Sequence, residues 1–180
     1  MKIPSLVLPA LVALAPLSAA ADNLLVSFEG AIGVIPVSAG VGTDPTATTV
    51  IRNIVRGVQP AAQIWTIADF DARVTVDGDI KVDGRGLVFA GGDTIGSGTA
   101  PGGMALKVFA TLICENTAPF MVHNTNPVPL AANGDFKIDD ELSPPPPPPS
   151  QCATPVLLIR NAGNLSWFAA GIQKFGDDHD

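Results

Sequence analysis

The chain is poor in the side chains that most often perform chemistry. It has no tyrosine, two tryptophans, two cysteines and two histidines in 180 residues. His123 is the single histidine outside the four-residue acidic tail 177–180, and its surroundings predict a polar turn. The serine in Gly96-Ser97-Gly98 lacks the Gly-x-Ser-x-Gly context of a nucleophile elbow. This scarcity argues against nucleophilic catalysis and against a structural zinc site, which needs four ligands.

Basic residues are also scarce. The chain carries 10 Lys and Arg against 17 Asp and Glu, for a formal net charge of -7. No basic patch is available in the sequence to neutralise phosphates, so we expect no nucleic-acid partner. The same acidity disfavours binding to anionic lipid surfaces.

The first 21 residues have the order of a secretory signal peptide. Lys2 is followed by an apolar stretch over 3–17 and by the small residues 18–21, so cleavage is expected after Ala21 or one residue earlier. A membrane-spanning helix needs about 20 apolar residues, and three prolines interrupt this shorter stretch. The same prolines disfavour a buried N-terminal strand or helix. We therefore expect an exported protein, periplasmic or extracellular, with no membrane span after cleavage.

Two cysteines, Cys114 and Cys152, predict one disulfide in an exported chain. Neither belongs to a Cys-x-x-Cys motif, and no histidine lies near either thiol in the sequence. A redox or nucleophilic thiol is therefore the weaker interpretation.

Alternating apolar residues over 64–76 predict a strand whose even-numbered side chains face a core. Its thirteen residues exceed the usual strand length, so a bulge or bend is expected inside it. A three-residue loop of Val76, Asp77 and Gly78 would pair Val74 with Ile80 and Ala72 with Val82, keeping the apolar residues on one face.

The same reasoning predicts a second hairpin. With Ala132, Asn133 and Gly134 in the loop, Leu130 pairs with Phe136 and Val128 pairs with Ile138. Further strands are predicted at 24–28, 32–37, 86–90, 106–115, 120–124, 156–160 and 166–172.

Two segments do not follow the strand pattern. Apolar residues over 50–58 recur at helical spacing after Asp44 and Pro45, but their β-branched content suits irregular strand equally, so both interpretations stay open. The six prolines at 144–149 predict an extended polyproline loop between strands; recognition by an aromatic groove is the functional alternative.

One β domain over 22–176 is expected, an antiparallel β-sandwich with room for one short helix. A small β-barrel is the alternative.

Acidic residues suggest two binding or catalytic sites. Asp69 and Asp71 project from one strand face, as the acid and base of a glycosidase can, although solvated acids are expected on an acidic protein. Calcium is the second hypothesis, because acidic turns supply oxygen ligands. The EF-hand order is absent after Asp77, however, and a lone Gly-Gly-Asp is not a tandem calcium-binding repeat. The residues of the calcium hypothesis are Asp77, Asp79, Asp83, Gly91, Gly92, Asp93, Asp139, Asp140 and Glu141.

Four phrases of the sequence resemble a group of exported bacterial β-domain proteins with no known activity. The phrases are Val82 to Leu87, Val108 to Cys114, Cys152 with the strand 155–160, and Trp167 to Gly171. The resemblance spans most of the chain after the signal and implies a bacterial exported β domain with both cysteines in shared segments. It carries over no functional residue and no cofactor.

These observations predict a non-catalytic exported protein with a structural or interaction-mediating function and no metal or cofactor. Its partner would be a protein or another component of the cell surface. The alternatives are a calcium- or small-ligand-binding module and a carboxylate-dependent hydrolase.

Overall fold

A computed structural model describes residues 23–38 and 51–175. The predicted signal peptide, its cleavage after Ala21 and the acidic tail 177–180 lie outside the described residues. No helix in the described ranges is long and apolar enough to span a membrane.

The fold is all-β, as predicted, and every strand pairing is antiparallel. Helical structure in the described residues is limited to a short 3-10 turn at Pro149–Gln151. The strands are β1 Leu24–Gly33, β2 Val37–Ser38, β3 Ile51–Arg52, β4 Trp65–Thr66, β5 Asp69–Thr75, β6 Asp79–Arg85, β7 Val88–Phe89, β8 Leu106–Ile113, β9 His123–Asn124, β10 Val128–Leu130, β11 Phe136–Glu141, β12 Val156–Asn161 and β13 Trp167–Lys174.

Most of these strands form one strongly curled sheet. Its order is β10-β8-β12-β13-β1-β5-β6-β11, with β9 also paired to β8, while β2–β3 and β4–β7 form two small sheets. The curl brings the two ends of the sheet together, because Asn124 and Ser143 exchange backbone hydrogen bonds of 3.0 and 2.9 Å. The architecture fits a β-sandwich or a half-barrel, and the main core lies inside the curl.

The first predicted hairpin is confirmed. Ala72 pairs with Val82 and Val74 with Ile80, so alternate apolar side chains of β5 and β6 reach the core. Gly78 has a φ of 99°, and its N–H donates to the Thr75 carbonyl at 3.1 Å. A left-handed residue at this position of a three-residue loop favours glycine.

The second predicted hairpin is correct in its turn and wrong in its ladder. The Ala131 N–H donates to the Asp135 carbonyl at 3.0 Å, but Leu130 pairs with Leu106 of β8 and Phe136 pairs with Gly84 of β6. The two strands therefore lie at opposite ends of the sheet. Proline has no N–H to donate, so Pro129 restricts β10 to an edge position.

The long strand predicted over 64–76 is interrupted, and the interruption reverses its faces. It divides into β4 and β5 at residues 67–68, as the expected bend requires. Phe70 in β5 faces the core as predicted, but Trp65 in β4 is 3% exposed, and Ile64 just before β4 is 43% exposed. The predicted even-numbered core face is therefore wrong before the break. Trp65 stacks on Phe168 with ring centroids 3.9 Å apart and packs against Phe89 at 4.1 Å.

Strand and turn structure prevail in the described part of the ambiguous segment. β3 is followed by a tight turn in which Val55 and Val58 form an antiparallel bridge around Arg56 and Gly57. The φ angles of 47° at Arg56 and 79° at Gly57 are incompatible with an α-helix.

The polyproline segment is an extended loop, as predicted. Its last residue before the 3-10 turn, Pro148, has φ -55° and ψ 156°, typical of polyproline II. The segment crosses the β5–β6 turn, where Pro146 is buried over Gly78.

Asp140 in β11 connects the two ends of the sheet, and we expect it to make stability acid-sensitive. The Asn126 N–H donates to its Oδ2 at 2.6 Å, and this hydrogen bond is the main reason why the pKa of Asp140 is lowered. A lowered pKa in the folded state adds stability above the unfolded-state value of about 3.9, and that stability is lost as the pH falls through the folded-state pKa. Melts of the wild type and Asp140→Asn should therefore differ at pH 7, and the difference should shrink as the pH falls below the unfolded-state pKa. A constant difference across this range would contradict the assignment.

Candidate functional site

The proposed hydrolase pair, Asp69 and Asp71, does not share a pocket. Both project from the exposed face of β5, where Asp69 accepts a hydrogen bond from the Phe70 N–H at 2.9 Å. Asp71 lines a shallow depression of about 410 Å³, but Asp69 is not among its lining residues. Asp69 and Asp71 therefore do not form a pair of carboxylates around one concave site, as a glycosidase requires.

Two acids of the calcium hypothesis, Asp83 and Asp139, pair with lysines on neighbouring strands. Lys137 contacts Asp83 at 2.7 Å, and its hydrogen bond is the main cause of the lowered pKa of Asp83. Lys81 forms an ion pair with Asp139 at 3.7 Å. In residues 23–38 and 51–175, no three His, Cys, Asp or Glu side chains come close enough together to hold a metal ion.

We expect folding to be independent of metal. The melting temperatures with and without excess EDTA should agree within about 2 °C. A change of 1 kcal/mol in stability commonly shifts the melting temperature of a domain of this size by about 2–4 °C. A fall of more than about 10 °C on chelation would instead support the calcium hypothesis.

His123 is buried, and the predicted polar turn is wrong. It lies in β9 opposite Leu112 and is 2% exposed. Its Nδ1 lies 2.8 Å from the Pro144 carbonyl oxygen, which requires Nδ1 to be the donor. Nε2 has no partner among the described residues. His123 therefore anchors the start of the polyproline loop.

The predicted disulfide joins Cys114 to Cys152, with their Cα atoms 4.5 Å apart. Both residues are buried. The bond connects the end of β8 to the residue after the 3-10 turn. Its sulfurs are thus committed to a crosslink.

An open cleft on the outer side of β8 and β12 has a different composition from the acidic faces. Its volume is about 540 Å³, and we call it the arginine cleft. No Asp or Glu lines it, although the chain has 17 of them against 10 Lys and Arg. The lining residues are Arg56, Gly57, Val58, Gln59, Phe109, Phe120, Val122, Asn124, Arg160, Asn164 and Leu165.

Arg160, at the end of β12, is held in place while part of its hydrogen-bonding capacity stays free. Its Nε donates to the Leu165 carbonyl at 2.9 Å, its Nη1 lies 3.4 Å from Thr111 Oγ1, and its guanidinium lies 5.1 Å from the Phe109 ring centroid. Nη2 has no acceptor among the described residues. Burial of the guanidinium lowers the pKa of Arg160, because it disfavours the charged form.

Arg56, on the opposite wall, has a structural role. Its Nη1 donates to the Ile113 carbonyl at 2.8 Å, and its Nη2 donates to the carbonyl and hydroxyl of Thr154. Burial is the main cause of its lowered pKa, and the charge of Glu115 opposes that effect. Arg56 therefore adds positive charge to the cleft while its terminal nitrogens bind the protein itself.

Leu165 forms the rim of the cleft in a conformation that is rare for leucine. Its φ is 62°, and its side chain is 54% exposed. A left-handed conformation costs a non-glycine residue about 1–2 kcal/mol, and such costs are concentrated at binding and active sites. Arg56 on the opposite wall has the same type of backbone conformation, with a φ of 47°.

Two asparagines of the cleft, Asn124 and Asn164, use their side-chain oxygens as acceptors within the protein. The Asn124 oxygen accepts a hydrogen bond from the Thr111 hydroxyl at 2.7 Å, and the Asn164 oxygen accepts from the Ser166 N–H and hydroxyl. Neither amide nitrogen has an acceptor among the described residues. The arrangement can bind an acceptor-rich group, but its lining residues include no nucleophile with an adjacent base.

The sequence did not reveal this cleft. A signal was present, because Arg160 directly follows a run of four apolar residues and had to be accommodated beside a buried strand. Its companion Arg56 lies far away in the sequence, in a segment whose conformation was ambiguous. Comparison with known proteins found no matching family model, curated protein or solved structure.

Proposed function

We propose that this chain is an exported, non-catalytic protein that mediates an interaction through the arginine cleft. The order of residues 1–21 and the Cys114–Cys152 disulfide support export, because disulfides persist mainly in oxidising compartments.

The observation that carries the binding function is the unpaired guanidinium of Arg160. It is half-buried in an acidic protein, yet no carboxylate among the described residues forms an ion pair with it. Partial burial of a charged group without an ionic partner costs free energy, because the group loses hydration. A ligand that supplies acceptors would restore the lost interactions, so the free protein is arranged to bind one.

The calcium and hydrolase alternatives have weaker support. Asp83 and Asp139 already pair with lysines, and Asp69 does not join Asp71 in one depression. A purely structural function would not explain an exposed leucine in a strained turn beside two arginines.

Site-specific photo-crosslinking in the native host tests the proposal. Benzoylphenylalanine is placed at Val122, on the wall of the cleft, and in a matched control at Lys137, on the exposed face of β11. We expect a crosslinked species, small or macromolecular, from position 122 only, and we expect Arg160→Gln to remove it. Intact-mass spectrometry identifies both sizes of adduct. Equal adducts at both positions, or adducts that survive Arg160→Gln, would contradict binding at the cleft.

A further inference from the structure

We propose that the arginine cleft recognises a carboxylate carried next to an apolar side group. This inference rests on the proposed function and specifies the chemistry of the occupant. Two sources present that chemistry: a small hydrophobic organic acid, and the C-terminus of a polypeptide that ends in a hydrophobic residue.

The hydrogen-bonding groups of the cleft select an acceptor. Among the residues that the structure describes, Nη2 of Arg160 and the amide nitrogens of Asn124 and Asn164 have no acceptor, while the two asparagine oxygens already accept hydrogen bonds. An ionised carboxylate accepts hydrogen bonds without donating any, and its planar shape matches a guanidinium edge. A neutral amide at the same place would bring its own donors to face those of the protein.

Charge favours a monoanion over a phosphate. Of the two arginines that line the cleft, only Arg160 has a terminal guanidinium nitrogen without an acceptor among the described residues, because those of Arg56 bind backbone carbonyls. The formal net charge of -7 also repels a dianion more strongly than a monoanion. One available guanidinium group in an acidic protein therefore suits one carboxylate.

The walls of the cleft select an apolar body. Phe120 is partly exposed, Val122 is 37% exposed and Leu165 is 54% exposed, and all three line the same space. A volume of about 540 Å³ is within the range of about 300–1,000 Å³ that is usual for small-molecule sites. A bare acetate or formate would leave these walls in water.

Isothermal titration of the full mature chain tests the assignment with matched probes. N-acetyl-L-leucine carries both features, N-acetyl-L-leucinamide lacks the charge, and N-acetylglycine lacks the apolar group. We expect the first to bind about tenfold or more tightly than either of the others, a difference of about 1.4 kcal/mol. Inorganic phosphate should bind more weakly than N-acetyl-L-leucine. A hexapeptide that ends in leucine distinguishes the two sources, because either the peptide or N-acetyl-L-leucine binds more tightly. The same peptide with an amidated C-terminus is the control for the carboxylate.

Two cleft variants and one control variant separate binding from folding. Arg160→Gln should weaken N-acetyl-L-leucine about tenfold or more, while Lys137→Gln should leave its affinity unchanged. Leu165→Asn should also weaken binding, yet it should melt at or above the wild-type temperature, because asparagine tolerates the left-handed conformation. This second variant keeps the test valid if Arg160→Gln folds poorly.

The outcomes distinguish the two proposals. Equal binding of acid and amide, tighter binding of phosphate, no binding of any probe, or full affinity in Leu165→Asn would overturn the carboxylate assignment. In each case a crosslink at position 122 would still support an interaction at the cleft. Loss of that crosslink specificity would instead overturn the proposed function itself.

Discussion

Trp65→Ala is expected to lower the free energy of unfolding by about 3–5 kcal/mol, as truncation of a buried aromatic residue does. Trp65 is 3% exposed and lies between Phe168 and Phe89, with ring centroids 3.9 and 4.1 Å away. Alanine would remove both aromatic contacts and leave a cavity between β4, β7 and β13. Urea denaturation followed by circular dichroism measures the change.

Ile64→Ala is the matched control, because the adjacent side chain points the other way. Ile64 is 43% exposed, so its truncation should cost less than about 1 kcal/mol. Simple alternation across residues 64–76 predicts the reverse order, with Ile64 in the core and Trp65 outside. A larger loss of stability for Ile64→Ala than for Trp65→Ala would therefore contradict the reversal of faces at the break.

Removal of the disulfide is expected to have an effect of similar size. Cys114 and Cys152 are 38 residues apart, and closing a loop of that length stabilises a chain by up to about 4 kcal/mol in the chain-entropy model. The Cys114→Ser, Cys152→Ser double variant should melt roughly 8–16 °C below the oxidised wild type if the full value is realised. The strand content should stay the same, because both ends of the loop are also held by backbone pairing.

Reduction provides the control for this prediction. Dithiothreitol should lower the melting temperature of the wild type towards that of the double variant and should leave the double variant unchanged. An oxidised wild type with two titratable thiols, or a variant that melts at the wild-type temperature, would contradict a stabilising crosslink.

Local chemistry was sufficient for the β5–β6 hairpin and for the disulfide. The hairpin register depends on two neighbouring apolar alternations and on Gly78, all within a few residues of one another. The disulfide prediction required only that the two cysteines of the chain have no other cysteine to pair with. The sequence also indicated the extended proline loop, because each proline ring fixes its own φ and this effect is local.

Long-range competition decided where the ladder around the second turn would form. The apolar residues of β10 and β11 alternate correctly for these two strands to pair with each other. Instead, β10 pairs with β8 and β11 pairs with β6, since those strands also offer apolar faces and complete the curled sheet. Alternation specifies which side of a strand is apolar and does not specify which strand lies beside it. The face of Trp65 was decided in the same way, by the docking of β4 onto β13 after a break in the strand.

The sequence by itself therefore determined that the chain is β-rich, where its local turns form and which cysteines join. Only the tertiary structure brought Arg56 and Arg160 to the walls of one cleft, with Leu165 on its rim. The physical reason is the range of the interactions: turns and alternation depend on adjacent residues, whereas a binding cleft depends on which distant strands pack together. The same packing buried His123 and left Arg160 with a guanidinium nitrogen available to a ligand.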